Sequence, residues 1–255
     1  MRIVYLVPGP MGRTVAGKAE VERRGDLLKK YAAPGTETGI QDVPEGPASI
    51  ESMYEEYLSI PATVRTAISL EQDGWDAIIL GCYGDPGLDA LRELISIPVV
   101  GPGEATALMA ASLGHRFSII TITESVIAFT ERLVRDAGVG DKLASVRAID
   151  IPVLELHDDR EQTIDATIRE GRRAIEEDRA DTLILGCMSM GFLEVAEAVA
   201  PELGVPVLNP GKTSLKFAEA LVGAGVTHSR RAYLTPPKLA AGNGMTAADL
   251  FHATV

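Results

Sequence analysis

Cys82 and Cys187 are the only two thiols in the chain, and each closes the same short motif. Asp76-Ala-Ile-Ile-Leu-Gly-Cys82 and Asp181-Thr-Leu-Ile-Leu-Gly-Cys187 agree at five of seven positions, 105 residues apart. A thiol on each side of a carbon centre suits stereochemical inversion at an acidic C–H. A thiolate removes the proton from one face while a thiol delivers another to the opposite face, and the roles exchange in the reverse direction. Gly81-Cys82-Tyr83-Gly84 and Gly186-Cys187-Met188-Ser189 each lead from a strand toward a helix. Exposed N–H groups at such a turn lower a thiol pKa and hold a developing oxyanion. This chemistry needs no cofactor. Other readings of the cysteines stand beside it. A lone Cys at a strand end is often a small buried apolar residue, and two can form a disulfide, which a reducing compartment disfavours. A zinc site finds no support, since no CxxC occurs and the four histidines lack ligand spacing.

The elements that must position these thiols follow from hydrophobic pattern. Short runs rich in Val, Ile and Leu occur at Ile3–Val7, Thr36–Val43, Ala77–Leu80, Ile97–Val100, Phe117–Thr121, Val146–Ile151, Thr182–Leu185 and Val205–Leu208, with a weaker one at Ala232–Leu234. They are apolar on both faces, as strands covered on both sides are. Between them, Ile50, Met53, Tyr54, Tyr57 and Leu58 fall on one helical face, with Ser49 placed to cap it. Pro61 suits the first turn of a following helix with Val64, Ala67 and Ile68 as its stripe, and Ile164, Ile168 and Ile175 form another. Strand–helix alternation implies parallel sheets with right-handed crossovers.

The duplication extends beyond the cysteine motif. Pro98-Val-Val-Gly-Pro-Gly103 pairs with Pro206-Val-Leu-Asn-Pro-Gly211, Asp42-Val43-Pro44 with Asp150-Ile151-Pro152, and Arg2-Ile3 loosely with Arg116-Phe117, all in one order and at nearly one spacing. The predicted fold is α/β: two pseudo-symmetric lobes, each a parallel four-stranded sheet flanked by helices. The first lobe spans 1–112 and the second 113–210, and a C-terminal helix and tail, 211–255, pack back on the first lobe. Ligands of open parallel sheets bind beyond the carboxyl ends of the strands. Each cysteine sits there, directly after the third strand of its lobe, so both thiols face one cleft between the lobes.

Other polar stretches carry less. Gly9-Pro10-Met11-Gly12 lacks the dinucleotide pattern, and Gly211-Lys212-Thr213 ends like a P-loop whose earlier glycine position holds Pro206. A helix N-terminus is the simpler reading of Gly211-Lys212-Thr213 and its counterpart Gly103-Glu104-Ala105. Lys212 lies on a solvated face or reaches an anionic ligand. His157-Asp158-Asp159 reads as a solvated loop. Thr121 and Thr123 end the fifth strand facing the cleft, as hydrogen-bond donors or as parts of a turn. Pro236-Pro237 and Gly242-Asn-Gly244 suggest a loop.

Composition bounds the partners. The 255 residues hold 24 basic against 36 acidic side chains, a net charge of −12 with no basic cluster. That excludes a nucleic-acid or anionic-membrane face, and no apolar run approaches the ~20 residues of a membrane helix. The expected protein is cytoplasmic, with a first strand where a signal peptide would stand, and it takes a small-molecule substrate without metal or cofactor.

Gly81-Cys-Tyr-Gly-Asp-Pro-Gly-Leu-Asp-Ala-Leu-Arg92 resembles the first cysteine motif of hydantoin racemases, members of the cofactor-independent aspartate/glutamate racemase superfamily. Gly46-Pro-Ala-Ser-Ile-Glu51 and Leu185-Gly-Cys-Met-Ser-Met190 also resemble that group, the latter in a form shared across the superfamily. The resemblance runs to about Val222. It implies the two-lobed fold, a homo-oligomer, and Cys82 and Cys187 as the acid/base pair. It further implies that Tyr83, Gly84, Met188 and Ser189 hold the substrate; Thr121 and Thr123, from their place at the strand end, and Pro8 and Ser49 are expected beside them as further substrate contacts. Val7-Pro-Gly-Pro10 replaces the usual Asn-Pro-Asn-like turn, and Met188 and Ser189 replace two small residues, which narrows or reshapes the pocket. The implied substrate is a 5-substituted hydantoin or a related ring such as allantoin, whose carbonyls stabilise the carbanion. No arginine is evident beside the cysteines, as a substrate without an α-carboxylate allows. An Asp/Glu-type amino acid racemase, a cis-trans isomerase with a cysteine nucleophile, and a two-lobed binding protein closing by a hinge are the alternatives.

Overall fold

A computed structural model describes residues 1–241, 246 and 247. Strands β1 (Arg2–Val7), β2 (Glu37–Asp42), β3 (Ala77–Leu80) and β4 (Val99–Val100) form one parallel sheet in the order β2-β1-β3-β4. Strands β5 (Phe117–Thr121), β6 (Leu143–Ala148), β7 (Thr182–Leu185) and β8 (Val207–Leu208) form a second, ordered β6-β5-β7-β8. The second half thus repeats the first strand for strand. β3, β5 and β7 are buried throughout, whereas the edge strands β2 and β6 are half-buried. The aspartate that opens each cysteine motif has a matching task. Asp76 Oδ2 accepts the N–H of Arg2 at 2.7 Å, and Asp181 Oδ2 accepts that of His115 at 2.7 Å, so each carboxylate ties its strand to the start of the neighbouring one.

The helices are α1 (Val15–Tyr31), α2 (Met53–Gln72), α3 (Leu88–Leu94), α4 (Pro102–Leu113), α5 (Ile127–Asp136), α6 (Arg160–Glu176), α7 (Met188–Phe192), α8 (Val195–Leu203), α9 (Pro210–Gly223) and α10 (Pro237–Ala240). α4 and α9 each start on a proline, which suits a first turn whose N–H would be unpaired anyway. They are also exchanged between the halves. α4 follows the last strand of the first sheet yet packs Ala107 and Ala110 with Phe117, Ile119 and Ile184 of the second. α9 follows the second sheet and packs Leu215 and Ala218 with Ile3, Tyr5 and Ile79 of the first. A boundary after residue 112 therefore falls in the last turn of a helix that already leans on the other sheet. Beyond α9 the tail stays on the first sheet's side, where the Arg230 guanidinium donates to the Arg92 and Glu93 carbonyls at 3.0 and 3.1 Å.

Local differences from the sequence expectation have physical reasons. Pro61 lies inside α2, a single helix capped by Ser52, and Ser49 precedes it. The face of α2 turned to the sheet carries Ser59, Ala62, Thr63, Ala67 and Leu70, mostly small residues that let helix and sheet approach closely. The apolar stripe points outward instead: Tyr54 is 73%, Tyr57 62% and Leu58 50% exposed. β6 begins three residues before the expected run, β4 and β8 shrink to two residues, and Ala232–Leu234 forms no strand. Pro237 starts the short α10, and Gly242-Asn-Gly244 falls outside the described residues. Among those residues, no helix is long and apolar enough to cross a membrane.

Phe192, fully buried, joins the halves. Its ring meets Tyr5 of β1 edge-on at 5.2 Å and lies 5.0 Å from the Arg24 guanidinium of α1. Phe192→Ala is expected to lower stability by about 3–5 kcal/mol. The shift would be read as a lower urea midpoint at unchanged slope.

Candidate active site

Four loops leave the carboxyl ends of β1, β3, β5 and β7 and meet at one pocket. They supply Pro8 and Gly9, the Gly81–Gly84 turn, Ile122, and Gly186 to Ser189. The segment before α2 adds Ser49 and Ile50, the start of α5 adds Val126 and Phe129, and α1 adds Arg24. The cavity has a volume of about 100 Å³. Both cysteines line it, as free thiols. The glycine before each is required by close approach: a Cβ on Gly81 would stand 2.6 Å from the Leu6 carbonyl, and one on Gly186 2.8 Å from Ile119 Cγ2. Only glycine lets the chain turn from the central strand at that point and carry the next side chain into the pocket.

The two thiols sit in unlike settings. Burial pushes both up from the ordinary thiol value. Against this, Cys82 receives the N–H of Gly84 alone, whereas Cys187, at the N-terminal end of α7, receives those of Met190 and Ser189 and feels the Arg24 charge. The turn N–H groups thus act in the expected direction, and desolvation outweighs them. Beneath both sulfurs lies Tyr5, whose hydroxyl donates to the Gly81 carbonyl at 3.1 Å.

Arg24 corrects the expectation that no arginine stands near the cysteines. It is 3% exposed, lines the pocket, donates from Nε to Glu20 at 2.6 Å and from Nη2 to Ser189 Oγ at 2.9 Å. Burial opposes its charge, but the Tyr5 phenol and the Glu20 carboxylate hold it firmly protonated. The sequence carried a signal for it. Arg24, Leu28 and Tyr31 are the buried residues of α1, at i, i+4 and i+7, so an arginine occupies an inward face with Glu20 one turn before it.

Of the other expected contacts, Pro8, Ser49, Gly84, Met188 and Ser189 are brought to the pocket together with Tyr83. The Tyr83 ring, 3% exposed, is buried among Ala107, Phe117 and Ile119. Met188 is likewise packed with Ile3, Tyr5 and Phe192. Thr121 and Thr123 are not brought there. Thr121 is fully buried, donating to the Gly186 carbonyl at 3.4 Å, and Thr123 bonds Ser125 at 2.9 Å. The residue between them, Ile122, points to the cavity because side chains alternate along an extended chain. Lys212 is exposed, 5.8 Å from the Tyr31 ring, and His157 lies in an exposed loop 3.5 Å from Glu20. Among the described residues no three His, Cys, Asp or Glu side chains gather as a metal-ligand set.

The sequence profile of the Asp/Glu/hydantoin racemase family matches residues 16–218. A hydantoin racemase from Pseudomonas sp. (strain NS671) is 40% identical over 194 residues, covering 76% of this chain and 77% of that protein. One from Paenarthrobacter aurescens is 33% identical over 90% of this chain and 94% of its own. Among solved structures, an allantoin racemase from Pseudomonas fluorescens matches with a TM-score of 0.85 and 32% identity, over 92% of this chain and 97% of that one.

Proposed function

Because the chain belongs to the Asp/Glu/hydantoin racemase family and is an isomerase of the racemase class, we propose that it inverts C5 of a hydantoin carrying an apolar substituent, with Cys82 and Cys187 as the acid/base pair. The observation that carries this reading is the arrival of both free thiols at one small pocket from equivalent strand ends. One sulfur, as thiolate, takes the C5 proton, and the electron pair moves onto the C4 carbonyl oxygen. The other sulfur, as thiol, protonates C5 from the opposite face, and C4=O re-forms. The N–H groups of Cys82 and Tyr83, of Cys187 and Met188, and the Ser189 hydroxyl are the donors assigned to that oxygen.

The pocket's other residues support an apolar C5 substituent. Ile50, Ile122, Val126, Phe129 and Val153 line it, and the Thr130 hydroxyl is turned to the Val126 carbonyl at 2.8 Å. Among the described residues, no Asp, Glu, Asn or Gln side chain lines it to accept the N–H groups of a ureido substituent such as that of allantoin. Leaving those donors unpaired is costly, by about 1–3 kcal/mol each. On a panel of single enantiomers, the kcat/KM for 5-benzyl- or 5-isobutylhydantoin is expected to exceed that for allantoin at least about tenfold. Equal or reversed preference would sink the apolar assignment. Absence of solvent deuterium at C5 with every hydantoin would sink the racemase reading itself.

A further inference from the structure

Behind the loop that carries Cys82 lies a second cavity, wider at about 580 Å³. Glu56 of α2 lines it. The side chain is nine-tenths buried, and its Oε2 has no hydrogen-bond partner among the described residues. A buried carboxylate oxygen left unpaired is costly, and nothing in the two-thiol chemistry above uses it. The wall between the two cavities is one glycine thick: Gly84 lines both, together with Phe129. A Cβ on Gly84 would stand 3.3 Å from Glu56 Oε2 and 3.0 Å from the Phe129 ring. Glu56 therefore abuts the residue whose N–H bonds the Cys82 thiol, and its charge is felt at that sulfur.

We propose that Glu56 is the proton-exchange partner of Cys82, passing protons between that thiol and the solvent of the outer cavity. The proposal rests on the two-thiol reading. Each inversion leaves the sulfurs with their protonation exchanged, and the next turnover in the same direction needs them reset. When Cys82 has acted as acid it is left as thiolate. The proton of the Glu56 carboxyl then passes to sulfur through a bridging water, each O–H bond breaking as the next O–H or S–H bond forms; the carboxylate takes a proton from solvent of the outer cavity, and Cys187 gives the proton it gained to water in the substrate pocket. When Cys82 has acted as base, the same steps run backward. Nothing is oxidised or reduced.

The titratable groups around Glu56 in this cavity are Tyr57 of α2, Arg132 and Asp136 of α5, Asp85 of the Cys82 loop, Asp89 of α3, the Arg92–Glu104 ion pair of α3 and α4, and Tyr233 of the tail. Burial raises the proton affinity of Glu56, and Arg132 opposes that. The balance favours a carboxyl that exchanges protons closer to neutrality than an exposed one does.

Glu56→Gln keeps the shape and removes the exchangeable proton. If resetting limits turnover, kcat should fall about tenfold or more in both directions while kcat/KM falls less than threefold. Added formate or acetate, small enough to enter the outer cavity, should restore kcat. A kcat within twofold of wild type, or a loss that neither acid rescues, would overturn the assignment. Should Glu56→Gln fail to fold, Glu56→Asp takes its place: a reduced kcat restored by acetate supports the role, and a kcat indifferent to acetate refutes it. Active wild type and inactive Cys82→Ser alongside an unaffected Glu56→Gln would remove this inference alone. An inactive wild type would remove the two-thiol reading and this inference with it.

Discussion

On the proposed two-thiol mechanism, Cys82→Ser and Cys187→Ser are each expected to lower racemisation about a thousandfold, the scale of a lost general acid or base. A serine hydroxyl is far more reluctant than a thiol to give up its proton, so neither variant replaces the missing partner. The folds should persist, because the change is small and neither sulfur is bonded to the other. The two variants are distinguished by solvent exchange. In D₂O each should still exchange the C5 proton of the one enantiomer whose C–H faces the surviving sulfur, without inverting it. Full racemisation by either variant would refute a two-thiol mechanism. Exchange of both enantiomers by one variant would point to a single mobile base. If the single variants keep ligand binding and the wild type shows no turnover, the two-lobed binding protein becomes the better account.

Arg24→Met is expected to carry the second large effect, on stability and on pH dependence together. It strips the donor from Ser189 Oγ and takes one of two arginine partners from Glu20, which keeps Arg23, in a site where the guanidinium is 3% exposed. Breaking a buried pair on one side costs about 3–5 kcal/mol, and here the partly exposed Glu20, which keeps its bonds to Arg23, places the loss toward the lower end. The sign of the pH effect follows from the charge. Arg24 pulls the Cys187 thiol down against its burial, so its removal lets that thiol rise further. At any pH below the thiol pKa, a rise of about one pH unit leaves roughly tenfold less thiolate. The alkaline-rising limb of the rate profile should therefore move to higher pH in Arg24→Met and less in Arg24→Lys, which keeps the charge. An unmoved limb in Arg24→Met would confine Arg24 to packing. Iodoacetamide labelling of Cys187 against pH, in the Cys82→Ser background, checks the same shift without substrate.

Much of this molecule is readable locally. The strand–glycine–cysteine motif is legible because its parts act over a few residues: apolar runs make buried strands, glycine permits the turn, and the next residue must lie at the strand's carboxyl end. Repetition of the motif adds the second sheet and the shared pocket. Asp76 and Asp181 recur because each ties its strand to the next, which is a local duty too. Pro8, Ser49, Met188 and Ser189 reach the pocket for the same reason, since they belong to loops at those ends.

Other features depend on what each surface meets across the fold. Hydrophobicity marks Tyr54, Tyr57 and Leu58 as a buried stripe, yet α2 turns small residues to the sheet because they allow a closer approach. Thr121 and Ile122 differ by one position along an extended chain, and alternation sends only Ile122 to the cavity. Arg24 becomes part of the site when α1 crosses to α7 of the other half, where Ser189 and the Phe192 ring receive it. Glu56 gains its place only because Gly84 is thin enough to let two cavities share a wall. The sequence by itself determined the repeated sheet and the two thiols at its strand ends, since strand, turn and spacing are set by near neighbours. The tertiary structure decided which charged groups those thiols feel, because burial and electrostatic contact arise between residues far apart in the chain.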